Sequence, residues 1–225
     1  MAVILEKPTV DVVKAVGKKF DEENKIFEDA LAGLFEHYPT NTNTSDVLLK
    51  VLTLNALYST QIPPYSNRIP TIWEVIDHIV KLDIDVALSQ GDENIVEKIA
   101  DVNVINKHQR NYSFATKYCN WHRPELFPIY DSHVDICLWQ MRIDGWVGGF
   151  DRQDMYCSYP KFKKIVTIFQ DSFLPEKLTY KEIDKYLYYE GGKLLEAIEM
   201  KKHAASITES PQSLSASNAD EKTKP

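Results

Sequence analysis

A chain of 225 residues with 44% hydrophobic content suits one domain with a core of its own, and three cysteines are too few for a four-cysteine iron–sulfur cluster or a disulfide framework. It contains no run of about 18 apolar residues, so no membrane span is expected, and the start MAVILEKPTVDVV lacks a basic leader and a small-residue cleavage site, so no signal peptide is expected. The odd count of Cys119, Cys137 and Cys157 points to a reducing, cytoplasmic setting, while a net charge of −7 and a pI near 5.4 weigh against nucleic acid as a partner.

The pattern predicts an all-α protein, one helical domain over residues 1–202. Thr9 or Asp11 caps a first helix that runs to about Tyr38 with a break near Gly17, its apolar residues recurring at helical spacing from Val12 to Phe35. PTNTNTSD forms a loop whose Ser45 or Asp46 opens a second helix to Tyr58, apolar around much of its circumference and therefore expected at the centre of the fold. Pro63, Pro64 and Pro70 keep Gln61 to Pro70 irregular. Helices follow over about 71–82, 86–89, 93–100 and 113–122, with no alternating strand pattern between them. Pro124 ends the helix at His122, and Pro128 keeps the return segment extended until Asp131 opens a helix to Met141. A glycine- and aromatic-rich loop leads to helices over 161–173 and 179–200, the last expected to weaken or kink at Gly191-Gly192. From His203 the composition is polar and poor in bulky apolar residues, which predicts a disordered tail over 203–225.

The stretch SFATKYCNWHRPELFPIYDSHVDICLW carries the chemistry. Lys117 lies near the start of one helix and Asp131 opens the next, fourteen residues later. A carboxylate at a helix cap accepts hydrogen bonds from the first-turn amides, which have no partners inside the helix. Partly shielded from water, it stabilises the positive charge that develops on a sugar when a base–sugar bond breaks. A neutral lysine amine attacks the sugar carbon or captures its opened aldehyde as a Schiff base, and desolvation with neighbouring cations such as Lys107, Arg110 and Arg123 favours that neutral form. A ten-residue helix rises about 15 Å, well within the reach of an extended eight-residue return, so the two groups can meet. Between Asn106 and Arg123 the sequence is basic and free of acids, a local face able to hold phosphate. His122 and His133 have no carboxylate cluster at metal spacing, and Cys119 and Cys137 read as core residues, so neither metal nor cofactor is expected.

Ser113-Phe114-Ala115-Thr116-Lys117 resembles the hairpin of helix-hairpin-helix DNA glycosylases of the 8-oxoguanine type, in which the lysine is the nucleophile. Phe127-Pro128-Ile129-Tyr130-Asp131-Ser132-His133-Val134 is similar to the adenine-glycosylase segment whose aspartate is catalytic. Ser113 and Ala115 stand where that hairpin carries glycines, and the lysine-to-aspartate spacing is shorter. The resemblance implies a divergent, compact glycosylase fold that bends DNA and flips a damaged or modified base into a pocket, for repair or for defence against foreign modified DNA. Lys117 and Asp131 would then be catalytic, possession of a lyase activity would follow from the lysine, and Lys107, His108, Arg110, Ser113 and Ala115 would hold the DNA backbone. Asn55, Tyr58, Gln61, Trp146 and Tyr186 are the candidate walls of the base pocket.

Two other readings fit the same residues. One is a non-catalytic helix-hairpin-helix module that binds DNA or a protein, which the acidic balance and missing glycines favour. The other is a helical enzyme or scaffold unrelated to nucleic acid.

Overall fold

The structure, a computed structural model, describes residues 5–208, with side chains through His203. Helix α1 spans Val10–His37, capped by the Thr9 hydroxyl, which accepts from the Val12 amide. It runs without interruption through Gly17, so the expected break is absent. Helix α2 (Thr44–Leu57) is opened by Asn43, whose side chain accepts from the amides of Ser45 and Asp46, rather than by either of those residues. A capping box of Thr71 and Glu74 starts α3 (Ile72–Leu82). Two short helices, α4 (Asp85–Gln90) and α5 (Asn94–Ala100), lead to an antiparallel hairpin, β1 (Asp101–Val104) and β2 (Lys107–Arg110). Then come α6 (Tyr112–His122), α7 (Ser132–Ile143), α8 (Arg152–Cys157), α9 (Tyr159–Phe173) and α10 (Tyr180–Thr208).

The protein is mostly helical, as the pattern predicted, with the small hairpin and α8 as additions. Register pairs Asp101 with Arg110 and Val104 with Lys107, and Asn106 takes the left-handed conformation in the turn. The central helix is α6, not α2. Phe114 to Asn120 are all buried in α6, whereas α2 buries Val47, Lys50, Val51 and Leu54 and leaves Leu49, Leu52 and Leu57 exposed. Helix α6 packs on α5, α2 and α1, and α10 lies against both α7 and α1. Cys119 and Cys137 are buried in the core, and Cys157 is exposed. Helix α10 continues to Thr208, past the expected boundary at 202, and the rest of the predicted tail, 209–225, lies outside the described residues. Among the described residues no helix is long and apolar enough to cross a membrane.

Candidate active site

The return from α6 to α7 is held by three side chains, two of α6 and one at the start of α9. The Thr116 hydroxyl shares its one proton between the carbonyls of Ser113 and Tyr130 and accepts from the Tyr130 amide, at 3.0–3.1 Å. One turn further on, Asn120 Nδ2 donates to the Phe127 carbonyl at 2.7 Å, and the Tyr159 hydroxyl donates to the Pro128 carbonyl at 3.0 Å. An extended segment in the interior must have its polar backbone satisfied, and these side chains do so. Asp131 follows Tyr130 directly, so the Thr116 clip sets it beside the first turns of α6.

There it caps α7. One carboxylate oxygen accepts from the amides of His133 and Val134, both at 3.0 Å. The other lies 3.5 Å from Lys117 Nζ, and the pair is nearly enclosed: 3% of the lysine side chain and 12% of the aspartate side chain are exposed. Lys117 Nζ also donates to the Ser113 hydroxyl at 2.7 Å and sits 5.2 Å from the centre of the Tyr58 ring. The structure thus brings together the lysine and aspartate singled out in the sequence.

Asp131 borders a cavity of about 270 Å³ between α1, the end of α2 and α10. Asp131 lines it with the aromatic rings of Phe20, Phe27, Tyr58 and Tyr188, and the amine of Lys117 lies behind Tyr58 and Asp131. Phe27 packs edge-on against Tyr58 and Phe20 against Tyr188, so the walls brace one another in pairs. Two further carboxyls face the same space. Glu28 is held by Lys181 at 2.9 Å, an ammonium that also sits 4.1 Å over the Trp121 ring. Asp184 makes no hydrogen bond or ion pair among the described residues. Burial first, and the charge of Asp131 second, push its carboxyl up to about 7, against the opposing pull of Lys181 and Lys117.

Helix α10 carries Asp184 and Tyr188 one turn apart and seats α7 one turn later. At Gly191 a β-carbon would lie 2.1 Å from the His133 carbonyl oxygen, so only glycine permits this approach. The His133 ring in turn stacks on Tyr188 at 4.3 Å between centres. The glycine pair therefore does not weaken or kink α10, which is continuous; it lets α10 press onto the helix start that Asp131 caps.

The remaining candidates fall elsewhere. Lys107 is paired with Glu74 at 2.9 Å and Arg110 with Glu97 at 2.6 Å and Asp101 at 3.6 Å; His108 lies 3.7 Å from Asp101. These acids precede the acid-free stretch in sequence and reach it from α3, α5 and the hairpin, so the local basic face is largely neutralised. Arg123 is likewise paired, with Glu125. Ala115 is fully buried and Ser113 is engaged by Lys117, so neither offers a phosphate a free approach. Of the five candidate pocket walls, Tyr58 alone lines the cavity. Asn55 braces the loop after α2 by bonding Thr60 and both backbone groups of Ile62. Gln61 is exposed on that loop in a left-handed conformation. Trp146 packs on Phe173, and Tyr186 is in the core, its hydroxyl bonded to the Glu6 carbonyl. The walls that sequence reading missed are on the outer helices: Phe20, Phe27, Asp184 and Tyr188. A stripe of Asp184, Tyr188 and Gly191, at helical spacing on α10, is the signal that could have marked one of them.

No solved structure matches the chain. An uncharacterized protein of Haemophilus influenzae is 38% identical over 129 residues, 56% of this chain and 60% of that protein, so the chain aligns with about three-fifths of its relative's length. Residues 11–126 match the N-terminal domain family HI_0787_N, a region that holds Phe20, Tyr58 and Lys117 and stops before Asp131. The chain therefore belongs to the HI_0787_N family.

Proposed function

We propose that this protein is a DNA glycosylase with lyase activity, cleaving the bond between deoxyribose and a damaged or modified base flipped out of DNA. The observation that carries this reading is the approach of Lys117 Nζ to Asp131 Oδ2, 3.5 Å, at the edge of an aromatic-walled cavity. Flipping costs a few kcal/mol, and aromatic walls such as Phe27, Tyr58 and Tyr188 offset it by stacking on the extruded base. Asp131 is the charge placed to stabilise the sugar as it becomes cationic, and its two amide bonds hold it in position before the reaction begins. Its free oxygen takes the ammonium proton of Lys117. The amine then attacks C1′ as the C1′–nitrogen bond breaks, and the base leaves with the bonding electrons and the proton that Asp131 took, which restores the carboxylate beside the sugar. Opening of the sugar ring gives a Schiff base, from which β-elimination cleaves the strand. Ser113, bonded to the same amine, aims it. The paired state of Lys107 and Arg110 favours a phosphate grip that does not depend on the hairpin cations.

The test is a panel of duplexes carrying 8-oxoguanine, uracil, alkylated bases or hypermodified cytosines. Single-turnover base release is expected from at least one, and Asp131→Asn is expected to slow it by about 10²–10³-fold. Absence of release from every duplex, or an unchanged rate in the variant, overturns the reading.

A further inference from the structure

Helix α2 has an apolar outer side that no described residue covers. Between Val47 and Tyr58 its one charged residue is Lys50, which is buried, so the outer side carries no charge. That side presents Leu49, Leu52 and Ala56, spaced by three and four residues, with the two leucines 42% and 41% exposed. Helix α1, joined to α2 by the short loop 38–43, continues the surface. Ile26, Ala30 and Gly33, spaced by four and three, are exposed along it, Ile26 at 88%. A hollow lined by Ile26, Phe27, Ala30 and Leu57 joins the two stripes. At about 3.6 residues per turn, the stripe on α1 lies well round the helix from Phe20, Asn24 and Glu28, which line the cavity beside Asp131. Single exposed apolar side chains are ordinary on a protein surface; an uncharged stripe on each of two adjoining helices is not. Spacings of three and four are those of the seam between packed helices.

Gly33 is a second observation. It lies inside α1, where glycine costs stability relative to alanine, and a β-carbon there would meet nothing within 4 Å. The packing of the single chain gives no reason for glycine at this place, whereas close approach by another backbone does.

We infer that two copies of this chain pair through α1 and α2, about a two-fold axis level with Ala30 and Leu52. Under that symmetry each helix packs antiparallel on its own copy, as in a four-helix bundle. Three features favour a second copy as the occupant. Antiparallel pairing about Ala30 brings Lys25 of one copy to Glu36 of the other on the flank of the stripe, and Glu36 has no ion-pair partner among the described residues, so the face complements itself in charge. The outer side of α2 offers no cation to a nucleic-acid backbone. The end of the chain beyond 208, ESPQSLSASNADEKTKP, carries one bulky apolar residue, Leu214, and does not match an apolar face in composition. A face two helices wide and about four turns long measures roughly 20 Å by 20 Å. That is at the small end for specific association, where about 800 Å² of accessible surface per partner is usual, so the pairing is reversible, with a dissociation constant of about 1–100 µM. None of this depends on the reaction proposed for Lys117 and Asp131.

The experiment is sedimentation velocity of the full chain from about 1 to about 300 µM, a span that brackets the expected constant. The average mass is expected to rise from that of one chain, 25.9 kDa, towards twice that value. Leu52→Lys and Ile26→Glu each place charge at an exposed position and leave the core intact. Each is expected to raise the dissociation constant by about tenfold or more, with an unchanged circular dichroism spectrum. Gly33→Ala, which fills open space in the single chain, is expected to raise the urea midpoint while weakening pairing by about threefold or more. Ile143→Lys, at the exposed end of α7, a helix whose chief neighbour is α10, is expected to leave pairing unchanged. The mass of one chain at every concentration overturns the inference. So does a dimer that Leu52→Lys and Ile26→Glu leave intact, or one that Ile143→Lys breaks as readily.

Discussion

Among the described residues two lysines are buried, and they are buried for different ends. Lys50 has no exposed surface, and its three ammonium donors are used on the carbonyls of Tyr38 and Thr40 and on Asn41 Oδ1, at 2.7–3.1 Å. The same Asn41 oxygen accepts from the Tyr118 hydroxyl at 2.5 Å, and the Asn41 amide groups donate to Asp85. This closed network pins the loop after α1 to α2, α4 and α6. Lys117, 2% exposed, makes one short bond, to Ser113, and has a carboxylate at 3.5 Å and the face of a tyrosine as its other neighbours. A lysine whose donors are all met is fixed and chemically idle. One whose donors are partly met, beside an acid at a cavity edge, has an amine left to use.

The sharpest way to break this contrast is to replace each ammonium by an apolar group of similar length. Lys117→Met is expected to abolish the covalent adduct trapped by borohydride on a substrate duplex. Stability in urea should change by no more than about 1 kcal/mol, because Asp131 keeps its two amide bonds and borders the cavity. An adduct of undiminished yield would place the nucleophile elsewhere. Lys50→Met is expected to do the reverse: a loss of about 3 kcal/mol or more in urea unfolding, from the carbonyls of Tyr38 and Thr40 left without a donor, and a normal adduct yield from the folded protein at low temperature. If Lys50→Met is no less stable than the wild type, the closed network is not what holds the loop.

A smaller effect is expected from Gly191→Ala. The added methyl meets the His133 carbonyl, so α10 must move off the start of α7, costing about 1–3 kcal/mol in unfolding measurements. Because that movement shifts the cap that positions Asp131, base release should fall by more than stability alone explains. A variant as stable and as active as the wild type would mean that α10 does not set the position of the acid.

A further effect is expected on the pH dependence of stability. The carboxyl of Asp184 is pushed up to about 7 in the folded protein, above its ordinary value of 3.8. Between these values the folded state binds more protons than the unfolded state, so Asp184 makes stability fall as pH rises from about 4 to about 7. Asp184→Asn should flatten the curve in that window and leave it unchanged below. The Asp131 and Lys117 charges act on Asp184 in opposite directions, so Lys117→Met should steepen the same limb.

Local signals made half of this site readable from sequence. A proline-held segment ending in aspartate ahead of an apolar run is a helix start wherever it occurs, and Asp131 caps α7 as that pattern requires. The burial of Lys117 was not readable. Lysine near a helix start ordinarily faces water, and this one is enclosed by the packing of Tyr58 from α2 and the folding back of the segment that Thr116 clips. The hairpin over 101–110 escaped for a different reason. Its strands are four residues long, only Val102 is buried, and their polar residues resemble a loop. That short hairpin also brings Lys107 and Arg110 back to Glu74, Glu97 and Asp101, so missing it meant mistaking neutralised cations for free ones. Asp184 and Tyr188 on α10 read as an ordinary solvated face until α1 is laid across them, and Gly191-Gly192 read as a break because a sequence does not say which backbone comes close enough to require glycine.

The HI_0787_N match ends at residue 126, between the clip and the cap. Lys117 therefore lies within the matched stretch, and Asp131, Asp184 and Gly191 lie beyond it, in the later half of the chain. A fragment cut at the family boundary would keep a buried lysine with no counter-charge and an open flank where α7 and α10 had been. The enclosure of that one amine is thus completed by helices that lie on the far side of the family boundary.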